Sequence, residues 1–256
     1  MLIEHLYREL SQDHQAATLE EIQQRLRRSK FRRAEIDRVM EKDFRFRRVG
    51  DQWRALPLEE IHGEALLPQT EFVVVDLETT GGDPSRESIL EVGALRVRDG
   101  RELARFSTLV HPGKPVPAMI TAITGITDSM VRHSPVIGEV LPMLAAFTGR
   151  QPLLAHNAPF DMGFLREETR RLDRPPIQNP VLCTLKLSRK LWPEIPRKGL
   201  DGLIDHFGLE VQDRHRALGD CLVTAQVFSL QMESLEARRV ATLHQLFRYY
   251  FGMTAG

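Results

Sequence analysis

Apolar positions along this 256-residue chain change their rhythm near residue 70. Upstream they recur three or four apart, the spacing of amphipathic helices. Leu2 to Leu10 makes a first such run, and Leu19, Ile22 and Leu26 form one face of a second. Ile36, Val39 and Met40 stripe a third, over roughly 32–41. The second run opens on Thr18 with Glu21 three residues on, a pattern in which each side chain caps the other's backbone amide. Two alternating runs follow, F-R-F-R-R-V and Q-W-R-A-L, around Gly50-Asp51, which predicts a two-residue hairpin. Trp53 is expected to anchor that hairpin in a small core of its own.

Downstream of a linker-like stretch, Pro57 to Thr70, the apolar runs become short and β-branched. Runs from Phe72, from Ile89 to Val97 and from Leu103 to Val110, with a turn at Asp99-Gly100, predict three meandering strands. Helical spacing then alternates with short strands. Helices are expected over 135–147, 159–172, 185–192, 200–207 and 216–235, and strands over 152–155 and 181–184. Met119 to Thr127 (M-I-T-A-I-T-G-I-T) is expected to be irregular, and the chain past Leu235 a polar-aromatic tail. A meander followed by alternating helices and strands describes an α/β domain with a mixed central sheet. Three helices plus a hairpin resemble a winged helix. The expected division is therefore a winged-helix-like basic module over 1–60, a linker over 61–69, the α/β domain over 70–236 and a tail over 237–256.

Charge sharpens that division. Lys and Arg balance Asp and Glu at 35 each, yet Glu21 to Arg54 holds 12 basic against 6 acidic residues, leaving 23 against 29 elsewhere. This asymmetry suggests a basic module attached to an acidic-sited one. Arg25, Arg27, Arg28, Lys30, Arg32 and Arg33, with Arg45, Arg47 and Arg48 on the hairpin, are candidate nucleic-acid contacts. A solvated basic face on a small docking module fits the same residues. No apolar run approaches the ~20 residues that span a bilayer, and the N-terminus lacks a signal-peptide core, so a cytoplasmic protein with no membrane partner is expected. Cys183 and Cys221 are the only cysteines, outside any C-x-x-C spacing, and are expected to be buried thiols.

The sharpest chemistry lies in F-V-V-V-D-L-E-T-T-G, Phe72 to Gly81. Residues i and i+2 of a strand share a side, so Asp76 and Glu78 project together. Two carboxylates held that close raise each other's pKa unless a cation lies between them, and no Lys or Arg occurs between Val73 and Gly82. A lone D-x-E is more often a half-solvated pair at a strand end. What changes the picture is convergence. Asp161 falls in the first turn of a helix opened by Pro159, after His156-Asn157; His215 and Asp220 stand at the start of the last long helix. Each has an ordinary explanation singly, as a helix-end charge or a loop histidine.

In order and spacing, D-x-E-T-T-G, N-x-x-F-D and H-x-A-x-x-D resemble the three motifs of the DnaQ-like DEDDh exonuclease family, which includes the proofreading epsilon subunit of bacterial DNA polymerase III. The resemblance covers about residues 70–236. It implies a ribonuclease H-like mixed five-stranded sheet flanked by helices. It also implies metal-dependent 3′→5′ hydrolysis of single-stranded DNA ends to nucleoside 5′-monophosphates, in proofreading or repair. By that resemblance Asp76, Glu78, Asp161 and Asp220 would hold two Mg²⁺ or Mn²⁺ ions, with His215 as general base and Thr79, Asn157 and Phe160 seating the terminal nucleotide. Hard oxygen ligands and a two-ion clamp fit phosphodiester cleavage independently of the family. Three alternatives are an RNA 3′-end processing exonuclease, an inert nucleic-acid-binding module, and a subunit bound to a DNA polymerase or sliding clamp. For the last, Gln231 to Leu235 (Q-M-E-S-L) is a loose clamp-motif match, more simply read as helix-end residues. Glu91 reads as a structural neighbour of the site rather than a fifth ligand.

Overall fold

The computed structural model describes residues 2–10, 15–26, 31–41, 45–56, 65–175 and 177–252. Arg27, Arg28 and Lys30 lie outside these residues, as do residues 61–64 of the expected linker. The chain separates into two units, Met1–Leu66 with Val240–Gly256, and Leu67–Arg239.

The first unit runs α1 (Leu2–Leu10), β1 (Ala17–Thr18), α2 (Leu19–Arg25), α3 (Arg33–Glu41), β2 (Phe46–Val49) and β3 (Gln52–Ala55), with strands ordered β1-β3-β2. Thr18 caps α2 reciprocally: its hydroxyl accepts from the Glu21 amide, and Glu21 Oε2 accepts from the Thr18 amide at 2.8 Å. Gly50, at φ +63°, turns the β2–β3 hairpin, and Trp53 is buried with its indole donating to Asp37 Oδ1 at 2.8 Å. Arg47 and Arg48 are exposed on the hairpin. Arg45, expected on the same surface, is fully buried. Its guanidinium lies 4.6 Å from the Tyr7 ring centre and 3.6 Å from that of Phe251. A weakly hydrated planar cation tolerates such an aromatic slot, which is why burial competes successfully with solvent here.

In the second unit a 3₁₀ turn (Leu67–Gln69) leads into β4 (Phe72–Thr79), β5 (Ile89–Arg98) and β6 (Arg101–Leu109). Helices α4 (Ala118–Thr124), α5 (Asp128–Val131) and α6 (Ile137–Thr148) follow, then β7 (Leu153–Ala155), α7 (Pro159–Arg171), β8 (Val181–Cys183), α8 (Thr184–Leu191), α9 (Leu200–Phe207) and α10 (Ala217–Glu236). The sheet order is β6-β5-β4-β7-β8, antiparallel at β4–β5 and β5–β6, parallel at β4–β7 and β7–β8. This is the expected five-stranded mixed sheet. Four consecutive buried residues, Phe72 to Val75, place β4 at its centre, covered on both faces.

The long helix α10 packs on the β4 face that carries Phe72, Val74, Asp76 and Glu78. Phe72 meets Phe228 edge-on at 4.9 Å, and the Cys221 thiol points to the Val74 carbonyl at 3.8 Å. Buried Ala217, Asp220, Thr224, Val227, Gln231 and Leu235 recur at helical spacing along the contact. Cys183 and Cys221 are both free and buried. Gln231 is also fully buried, donating to the Thr184 carbonyl and the Ser188 hydroxyl, each at 2.8 Å. The Gln231–Leu235 segment therefore belongs to the last turns of α10, the helix-end reading expected for it.

Two further segments differ from expectation. Ala118–Thr124 is helical, closed by Gly125 at φ +71°. Its Ile and Thr content argues against helix by propensity, but Ile120 packs on Leu90, Val116, Ile126 and Val131, and tertiary burial outweighs a few tenths of a kcal/mol per residue. The expected tail contains α11 (Leu243–Phe251), capped by Thr242 and Gln245 and grouped with the first unit, where the Leu243 amide donates to the Ala65 carbonyl at 2.9 Å. Among the described residues no helix is long and apolar enough to cross a membrane.

Candidate active site

The C-terminal end of β4 gathers the acidic residues. Asp76 lies opposite Gly93 on β5 and Glu78 opposite Glu91, so both carboxylates leave the sheet on the side where α10 begins. Asp76, Glu78 and Asp220 each offer an oxygen within 4.8 Å of the other two. Asp161 is buried at the first turn of α7 and lies outside that trio. The parallel β4–β7 register brings it to the same end of the sheet, where backbone hydrogen bonding at Leu77 and at Asp161 itself holds its carboxyl.

Two clearances make the approach of α10 possible. A Cβ at Gly93 would stand 2.5 Å from the Ala217 carbonyl carbon and 2.6 Å from the Leu218 amide nitrogen. A Cβ at Gly219 would meet the Asp213 carbonyl oxygen at 2.1 Å. The helix start is then fixed by Glu91, almost fully buried. Its carboxylate accepts from Arg216 Nη2 at 2.6 Å, Arg216 Nε at 3.0 Å and the Ala217 amide at 3.0 Å. Glu91 thus caps α10 from a neighbouring strand, matching the structural part expected for it. We expect Gly93→Ala to cost about 1–3 kcal/mol in chemical denaturation through overpacking. It should also lower turnover on the order of a hundredfold, because Asp220 is displaced from Asp76. Equal stability and equal turnover would show that the contact does not set the site.

Burial raises the whole set, and repulsion from neighbouring carboxylates adds to it at Asp76, Glu78 and Asp161. The Asp76 carboxyl lies well above the usual carboxylate range through desolvation and the charges of Asp161, Asp220 and Glu78. Glu78 is pushed up to about 7 by desolvation, Asp220 and Glu91, and Asp161 to about 8, chiefly by desolvation. Desolvation raises Asp220 too, against the opposing charge of Arg214, which ion-pairs with it. Hard carboxylate oxygens that repel one another in this way fit a divalent cation, which would relieve the repulsion.

A consequence for stability follows from the same shifts. At neutral pH the folded site retains protons that the unfolded chain has already released, so its contribution is full below about pH 4 and is lost as pH rises through 7 to 8. For Glu78, moving from 4.5 to about 7 corresponds to about 3 kcal/mol. In chelator, the melting temperature should fall by roughly 6–12 °C between pH 5 and 8.5, and Mn²⁺ should restore it at the upper end. Glu78→Gln should flatten the slope; a wild-type protein with no slope would contradict the assigned repulsion.

The remaining expected residues surround this end of the sheet. His215 is half-buried at φ +62°, its amide 3.4 Å from Asp220 Oδ1. Thr79 is buried beside a register shift that ends β4, and its hydroxyl donates to the Gly81 carbonyl at 2.7 Å. Asn157 is exposed at φ +69°, its carbonyl accepting from the Phe160 amide at 2.9 Å. The Phe160 ring packs on Phe164 at 5.1 Å. Burial pushes the neighbouring His156 imidazole down to about 4, and its Nδ1 lies 3.0 Å from the Thr184 hydroxyl. Sequence reasoning missed Arg214 and the Gly93 and Gly219 clearances. The only hint for Arg214 is its place beside His215, and for Gly93 its place on an otherwise apolar strand.

Comparison with known proteins places the fold that carries this site. The family model for exonucleases of the RNase_T group matches residues 73–228. A DNA polymerase III subunit epsilon from Aquifex aeolicus is 39% identical over 164 residues, covering 64% of this chain and 81% of that protein. A putative bifunctional exonuclease/endonuclease protein from Mycobacterium tuberculosis is 41% identical over 199 residues, 75% of this chain but 31% of that protein. The DNA polymerase III PolC-type protein of Clostridium perfringens is matched over 12% of its length. The chain thus spans under a third of these last two relatives. Among solved structures, Exonuclease X in complex with 5′ overhanging duplex DNA superposes with a TM-score of 0.54 at 32% identity, over 64% of this chain and 92% of that one. With the matched region carrying the mixed sheet and the carboxylates at the C-terminal end of its central strand, this chain belongs to the RNase_T exonuclease family.

Proposed function

We propose that the second unit removes nucleotides one at a time from the 3′ end of single-stranded DNA, in replication proofreading or repair. The carboxylate cluster of Asp76, Glu78 and Asp220, with Asp161 beside it, is the observation that carries this reading. These four residues would hold Mg²⁺ or Mn²⁺, two ions in all, which supply charge neutralisation at the phosphate and an acidified water. His215, unprotonated, accepts the proton of the attacking water. Thr79, Asn157 and Phe160 hold the terminal nucleotide, the hydroxyl and amide by hydrogen bonds and the ring by stacking. DNA as substrate is supported by the epsilon subunit relative and by the DNA bound in the Exonuclease X structure. Association with a DNA polymerase in the cytoplasm belongs to the same reading. The first unit is read as a winged-helix-like module whose exposed Arg32, Arg33, Arg47 and Arg48 contact the nucleic-acid backbone.

The direct test uses 5′-labelled single-stranded DNA and RNA of one sequence, each with a free and a blocked 3′ end. Expected is a ladder shortening from the 3′ end, on free DNA at least about tenfold faster than on RNA, with nucleoside 5′-monophosphate released. Faster digestion of RNA would move the assignment to RNA 3′-end processing. Failure on both, with Mg²⁺ or Mn²⁺ present, would overturn it.

A further inference from the structure

Arg214 has no part in hydrolysis as described so far, yet it touches the site directly. Its Nη1 pairs with Asp220 Oδ2 and lies 3.5 Å from His215 Nδ1. Its other edge reaches Asp201 Oδ1, from Nη2 at 2.8 Å and from Nε at 2.9 Å. Among the described residues, Asp220 is the only one of the four site carboxylates that carries a cationic side chain. The same positive charge also acts on Asp76 and Glu78. A divalent cation and this guanidinium therefore compete for one carboxylate.

The neighbouring Arg216 shows what a permanent ion pair looks like here. It binds bidentately to Glu91, whose side chain is 3% exposed. Arg214 instead leans on Asp201, whose side chain is 69% exposed, and such a solvated pair holds it weakly. Once released from Asp220, the N–H fork suits a phosphate as well as it suits a carboxylate. We propose that Arg214 is the resident counter-ion of the carboxylate site, ceding Asp220 to the divalent cation and turning to a phosphate of the bound strand. It is thereby a positioning residue that sets cation affinity and strand affinity in opposite directions. This inference rests on the hydrolytic reading of the site.

The test compares wild type with Arg214→Gln and Arg214→Lys in two measurements that need no turnover. Calorimetric titration with Mn²⁺, without nucleic acid, should show at least about tenfold tighter binding by Arg214→Gln and near wild-type binding by Arg214→Lys. Anisotropy of a labelled single-stranded oligonucleotide in Ca²⁺ should show Arg214→Gln binding at least about tenfold more weakly. Its slope of log affinity against log salt should be shallower by about 0.7, the loss of one phosphate contact. Unchanged or weaker Mn²⁺ binding by Arg214→Gln overturns the counter-ion role, and that is also the result of simple structural damage. Unchanged strand affinity and salt slope overturn the transfer to phosphate. A wild-type protein that binds Mn²⁺ but cleaves neither DNA nor RNA would sink the hydrolytic reading instead, and the Mn²⁺ comparison would still judge Arg214.

Discussion

Asp76→Asn is expected to lower metal-dependent hydrolysis by roughly 10³–10⁴-fold while leaving the cation-free protein at least as stable as wild type. The two halves of this result have one cause. Asp76 stands at the centre of the sheet, facing the charges of Asp161, Asp220 and Glu78. An amide at that position is neutral without taking up a proton, so the cation-free fold is spared the cost of holding a desolvated carboxyl among like charges and gains rather than loses. It also removes one hard anionic ligand from the cluster, and a loss of about 4–5.5 kcal/mol of charge stabilisation at the phosphate gives the 10³–10⁴-fold, at about 1.4 kcal/mol per power of ten. Thermal unfolding in chelator and single-turnover cleavage of a labelled oligonucleotide measure the two halves separately. Hydrolysis near the wild-type rate would remove Asp76 from the site. Lost activity with lost stability would make it a structural residue.

Much of this site is legible in the sequence because its parts lie at element ends that local patterns mark. The β-branched run before Asp76, Pro159 ahead of Asp161, and the helical stripe behind Asp220 each fix a position along one element. A period-2 strand then commits Asp76 and Glu78 to one face, where the structure finds them. What local patterns omit are contacts set by close approach between distant elements. Nothing near Gly93 in sequence says that the first turn of α10 will lie against it, 124 residues later. Arg45 fails for the same reason. An arginine in F-R-F-R-R-V reads as solvated, and Tyr7 and Phe251, arriving from the two far ends of the chain, make its slot aromatic. Likewise α4 is built from residues that favour strands, and its helix exists because Ile120 finds a core that the local sequence does not announce.

The second large effect is expected at His215. His215→Ala should reduce turnover by about 10²–10⁴, the range for loss of a positioned general base. Cation binding should survive, because the imidazole is not one of the clustered oxygens. The conformation of His215 separates these roles. Its φ of +62° is a left-handed geometry that a histidine adopts at some cost, and the loop is kept there by Gly219, which alone leaves room for the Asp213 carbonyl. The strain presents a half-buried side chain beside Asp220, while the backbone amide, which alanine retains, points to Asp220 Oδ1. Alanine therefore deletes the base and spares the frame. Added imidazole should recover part of the lost rate in His215→Ala and none in Asp76→Asn, since a diffusing base replaces a missing base but not a missing ligand. If Mn²⁺ affinity instead falls together with turnover, and imidazole restores neither, His215 holds the loop in place and the proton goes elsewhere.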